Sequence, residues 1–126
     1  LNKKVKFINH CKEMPLAYSL ADVVVSASIE PEAFGRVAVE SQAMGKPIIA
    51  SNIGGSKETV LNKKSGFLYK HDDPRELAKS LNAVIQLSQD QLKSVGNEGR
   101  KNIIKKFDVE TMCNSNLKEY IKLLKN

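Results

Sequence analysis

Three consecutive valines, in the run Asp22-Val23-Val24-Val25-Ser26, constrain this chain more than any other feature. A strand with one face in water alternates apolar and polar residues. An unbroken β-branched run fits a strand covered on both faces, as in a parallel sheet flanked by helices. Two more short runs of this kind follow, Pro47-Ile48-Ile49-Ala50-Ser51 and Gly66-Phe67-Leu68-Tyr69. Helix-like segments separate them, at 34–44, stopped by Gly45 and Pro47, and at 56–61, with Ser56 as a candidate cap. Val5-Lys6-Phe7-Ile8 reads as a further strand, ahead of a short helix at 13–20 with Pro15 in its first turn. This alternation predicts an α/β fold: a parallel sheet of about four strands with helices on both faces.

Past residue 70 the pattern is helical. Asp72-Asp73-Pro74-Arg75-Glu76 combines an Asp cap, a proline in the first turn and an acidic residue after it. Leu77, Leu81, Val84, Ile85 and Leu87 then recur at helical spacing. A second helix is expected from Asp90 to about residue 106, with Leu92, Val95, Ile103 and Phe107 toward the core and Gly96 and Gly99 weakening its middle. Asp108 caps a third over 109–124, whose apolar face is Met112, Leu117, Tyr120, Ile121 and Leu124.

Composition excludes several classes. The chain has 126 residues, enough for one domain with a modest core. No apolar run approaches the roughly 20 residues of a membrane span. The opening Leu1-Asn2-Lys3-Lys4 shows no leader pattern, and the missing initiator Met suggests a piece of something longer. Cys11 and Cys113 lie far apart without metal-ligand spacing, and read as reduced thiols of a cytosolic protein. The net charge of +6 gathers toward the ends of the chain. Three arginines and seven aromatic residues make a poor surface for nucleic acid. A solvated basic face, weakly drawn to anionic lipid headgroups, is the expectation instead.

The loop after the triple valine is the candidate site, because ligands of parallel sheets gather at the carboxyl ends of strands. There Glu32 and Glu40 flank a Phe34-Gly35 turn. If a helix begins near Gly35, the amides of Gly35, Arg36 and Val37 lack intrahelical partners and carry the positive end of the dipole. Such an end suits a phosphate, and Gly35 permits close approach. Glu40 sits about one and a half turns in, and helical side chains lean back toward the amino end. Its carboxylate suits the neutral diol of a ribose, and Glu32 suits the hydroxyls of another sugar. The competing reading pairs Glu40 with Arg36 one turn earlier and leaves Glu32 solvated.

These residues resemble the paired-glutamate signature of retaining glycosyltransferases of family 4, which have the GT-B fold. The likeness extends through Ala21-Asp22-Val23-Val24-Val25-Ser26, Glu32-Ala33-Phe34-Gly35, Glu40-Ser41-Gln42-Ala43-Met44-Gly45-Lys46-Pro47-Ile48-Ile49-Ala50-Ser51, Gly54-Gly55 with Glu58, and Gly66-Phe67-Leu68. It covers roughly residues 5–88, and such a matched series is more specific than one glutamate pair. It implies that residues 1–88 are part of a nucleotide-sugar-binding, Rossmann-like domain and that 89–126 are its carboxyl-terminal helices. By resemblance Glu40 binds the nucleotide ribose, Glu32 contacts the donor sugar as the catalytic glutamate, and Phe34, Gly35, Arg36 and Val37 hold the sugar and diphosphate. His10, Cys11 and Met14 occupy the region near the base, with Asn9 where many members have glycine.

The family's two-domain architecture implies that this is half of a GT-B enzyme, without the acceptor domain or the first two strands of the donor domain. In the order 3-2-1-4-5-6 the first strand here would then lose its neighbours and the next would gain an open edge. The two strands are expected to pair directly, to complete a sheet with another copy, or to part, with the first straying. The implied reaction transfers a sugar from a nucleoside diphosphate donor to a glycan or lipid-linked acceptor with retention, in bacterial cell-surface glycan or lipopolysaccharide synthesis. It implies no cofactor and no metal. The expected place is the cytoplasm, at the inner membrane surface, and the isolated fragment is expected to be inactive. The alternative is a truncated, non-catalytic remnant that binds nucleotide or serves as an interaction module.

Overall fold

A computed structural model describes residues 4–125. The chain runs α1 (Met14–Leu20), β1 (Val24–Ser26), α2 (Arg36–Ala43), β2 (Ile48–Ser51), α3 (Ser56–Thr59), β3 (Phe67–Tyr69), α4 (Pro74–Ile85), α5 (Gln89–Lys106) and α6 (Val109–Leu124). The strands form a parallel sheet in the order β1-β2-β3, with Val24 opposite Ile48 and Ile49 opposite Phe67.

β2 is central, and all four of its residues are buried. Its side chains alternate between two cores. Ile48 and Ala50 pack with Ala38 of α2 and Val60 after α3. Ile49 packs on the other face with Tyr69 and with Val84 of α4. The apolar run is thus explained by helices on both sides.

Among the described residues the sheet has three strands, not the four expected. Residues 5–8 form no strand; Phe7 is 93% and Ile8 77% exposed. Among these residues β1 pairs with β2 alone, so the strayed first segment is the outcome observed. A strand without flanking partners cannot satisfy its backbone in a sheet, and water serves it instead.

The helix starts are mostly local chemistry. Asp73 accepts from the amides of Arg75 and Glu76, with Pro74 following. α5 starts at Gln89, not Asp90, because Ser88 and Gln91 form a reciprocal capping box. Asp108 caps α6 by accepting from the Thr111 amide. Ser56 is not a cap: Gly55 holds that place and Ser56 is the first residue of α3.

α5 crosses α2 where Gly96 and Gly99 face it. A methyl group on Gly96 would overlap the Gly45 carbonyl oxygen, and one on Gly99 would lie 3.0 Å from Gln42. Buried amides bracket the junction: Gln42 Nε2 and Asn102 Nδ2 both donate to the Thr59 carbonyl, each at 3.1 Å. α6 buries none of its residues. Its apolar face is regular but exposed, with Leu117 at 55% and Leu124 at 87%.

Candidate functional site

The site forms where the chain leaves β1 and enters α2. Glu32 lies in this loop, exposed, and its carboxylate accepts a hydrogen bond from Ser28 Oγ. The loop backbone rests on the Gly54-Gly55 turn. The Gly55 amide donates to the Glu32 carbonyl at 2.8 Å, and a methyl on Gly55 would come within 2.6 Å of the Phe34 backbone. The glycine pair is therefore a close-approach seat for the loop. From above, Phe34 meets Phe107 edge-to-face, with ring centroids 5.9 Å apart.

Gly35 is the N-cap of α2, at φ 77°, a left-handed conformation that side chains disfavour. No side chain caps the helix. The amides at its start are thus left to a ligand or to water. Arg36 is exposed here, whereas Val37 turns its side chain into the core and contributes its backbone.

Glu40 projects into a cleft between α1 and α2 of about 390 Å³, lined by Lys12, Met14, Tyr18, Arg36, Glu40 and Met44 among others. Its side chain is 33% exposed. Oε2 accepts from the Tyr18 hydroxyl at 3.0 Å. Oε1 accepts from Arg36 Nε at 3.0 Å and Nη2 at 2.8 Å. The Arg36–Glu40 pair weighed as the competing reading therefore exists. It does not saturate the carboxylate, whose two oxygens offer about four lone-pair sites. Burial, and then the bond to Glu40, raises the Tyr18 phenol to about 12. Lys46 Nζ donates to the Ser19 carbonyl at 2.9 Å and further ties α1 to the end of α2.

The geometry groups the expected residues unevenly. Arg36 and Glu40 share the cleft with Met14. His10 is exposed and Cys11 half-buried, and neither is among the cleft residues. Glu32 and Phe34 lie on the loop before α2 rather than in the cleft. Sequence reasoning missed Tyr18, Lys12 and Phe107 as parts of the site. The helical pattern places Tyr18 one turn after Met14, but no local signal says that this face of α1 meets α2. Among the described residues no group of three or more His, Cys, Asp or Glu is placed to hold a metal ion.

Known proteins share this fold. The chain is 36% identical to a glycosyltransferase of Rickettsia africae ESF-5, with a TM-score of 0.92 over 99% of this chain and 33% of that one. It is 31% identical to Anabaena HepE, solved in complex with UDP-glucose, with a TM-score of 0.86 over 97% of this chain and 33% of that one. It is 30% identical to the capsular polysaccharide biosynthesis glycosyltransferase CapM of Staphylococcus aureus, over 94% of this chain and 32% of CapM. The chain thus spans about a third of the length of these relatives. Its architecture is that of the carboxyl-terminal half of GT-B glycosyltransferases. Residues 1–102 match the family "Glycosyl transferases group 1", and the chain belongs to that family.

Proposed function

We propose that this chain is the donor-binding part of a retaining glycosyltransferase that takes a sugar from a nucleoside diphosphate. The observation that carries this reading is the pairing of an uncapped α2 start with a half-buried Glu40 in the adjoining cleft. The diphosphate lies against the amides of Gly35, Arg36 and Val37, with Phe34 beside it. Glu40 accepts from the ribose hydroxyls, and Glu32 meets the donor sugar. The base lies toward Met14, with His10 and Cys11 beyond it.

As the sugar leaves, negative charge grows on the diphosphate. Fixed amide dipoles stand where that charge develops and stabilise it without reorganising. This supports a reaction without metal or other cofactor. UDP-glucose in HepE supports a uridine nucleotide, and the CapM likeness supports a cell-surface glycan acceptor. Lys118 and Lys122 lie on the side of α6 opposite its apolar face, which supports work at the inner membrane surface. No described helix is long and apolar enough to cross a membrane. Acceptor binding falls to an amino-terminal domain, so the chain alone is inactive.

The test is a calorimetric screen of UDP, GDP, ADP and CMP against wild type and Glu40→Ala. Losing hydrogen bonds to a charged group costs about 1.5–3 kcal/mol, so UDP affinity is expected to fall roughly tenfold to a hundredfold. Equal binding by both proteins would dismiss the ribose role. Nucleotide-sugar hydrolysis by this chain alone would overturn its inactivity.

A further inference from the structure

The fold treats the two oxygens of Glu40 differently. Oε2 is bound by Tyr18, which is 5% exposed and anchored in α1. A buried phenol on a helix has few alternative positions. Oε1 is bound by Arg36, whose side chain is 83% exposed. Arg36 is also the first residue of α2, at a helix start that no side chain caps. A guanidinium pairs bidentately with phosphate as readily as with carboxylate, and an exposed ion pair contributes little to hold it in place.

We propose that Tyr18 is a positioning residue that fixes Glu40 for the nucleotide's ribose, while Arg36 is a releasable latch that passes from Glu40 to the diphosphate when a donor binds. The inference rests on the donor-site reading above. Before binding, Arg36 shields the carboxylate and keeps its charge balanced at the mouth of the cleft. On binding, the diphosphate draws the Arg36 guanidinium off Glu40, one turn along, and back to the amino end of α2. Oε1 is then free to accept a ribose hydroxyl, and Oε2 stays on Tyr18. The repulsion between Glu40 and an incoming phosphate is offset by the cation that leaves one for the other. Lys12, which also lines the cleft, adds a second positive charge there.

Calorimetry on the whole chain separates the two roles, using UDP, uridine, and UDP analogues lacking a ribose hydroxyl. Wild type is expected to favour UDP over the deoxy analogues by roughly tenfold. Tyr18→Phe should erase most of that preference and leave the ratio of UDP to uridine affinity unchanged. A merely structural loss would weaken every ligand by one factor. Arg36→Met should cost UDP affinity but leave uridine binding equal or tighter, because the latch no longer competes for Oε1. The proposal falls if Tyr18→Phe keeps the full hydroxyl preference, or if Arg36→Met weakens uridine and UDP alike. Glu40→Gln distinguishes the two levels. If it too keeps the preference, the ribose reading fails; if it loses the preference while Tyr18→Phe keeps it, only the positioning role fails. Circular dichroism melts confirm that each variant folds.

Discussion

Tyr18 allows the site to be probed without any ligand. Its phenol is raised from an ordinary 10.0 to about 12, first by burial and then by donation to Glu40. In the unfolded chain the proton leaves near pH 10, while the folded chain keeps it to about pH 12. The folded state therefore binds more protons in that window, and stability falls as pH rises through it. The contribution is fully present below about pH 10 and lost by about pH 12. Tyr69 is also raised by burial and adds its own slope, so the comparison with Tyr18→Phe isolates the first. Urea unfolding midpoints should decline less steeply with alkaline pH in the variant. Parallel declines would show that the phenol is not held as described.

The contact between α2 and α5 makes a prediction that runs against helix propensity. Alanine in place of a mid-helix glycine ordinarily stabilises by about 1 kcal/mol. At Gly96 the added methyl would meet the Gly45 carbonyl, a backbone atom that cannot rotate away. Overpacking of this kind costs about 1–3 kcal/mol, so Gly96→Ala should lower the denaturant midpoint. A midpoint equal to or above wild type would mean that the helices are not in such close contact. Read from the sequence, Gly96 and Gly99 are weak points in α5, because periodicity sees one helix and the reason lies on another. Features whose partners are local are legible: Asp73 and Asp108 cap the helices they precede. Ser88 is less legible, because Asp90 offers a competing start and only the reciprocal bond with Gln91 decides between them. The loop before α2 divides in the same way. Gly35 and Glu40 stand out by type and spacing, whereas the seat made by Gly54-Gly55 and the Phe34–Phe107 contact depend on segments far along the chain.

At the scale of the whole molecule, the triple valine specified a parallel α/β sheet but not how many strands would join it. A strand pattern is a property of a segment, while membership of a sheet depends on a neighbour. Residues 5–8 have the pattern and lack the neighbour. β1 has the complementary problem: β2 covers one edge, and among the described residues no strand lies beside the other. An uncovered parallel edge presents free amides and carbonyls to any chain that can pair with it. Val25, in the middle of that strand, is 39% exposed and belongs to neither core cluster, unlike Val23 and Val24. The protein in isolation is therefore expected to self-associate through β1. Val25→Lys should block this, since an edge lysine must be desolvated when a second strand arrives, and the core should be untouched. Sedimentation velocity over a concentration series is the measurement. Wild type should sediment faster as concentration rises, the variant should remain a monomer, and thermal melts of the two at low concentration should coincide. A wild type that stays monomeric throughout, or a variant that associates as strongly, would show that the β1 edge is protected by the chain itself.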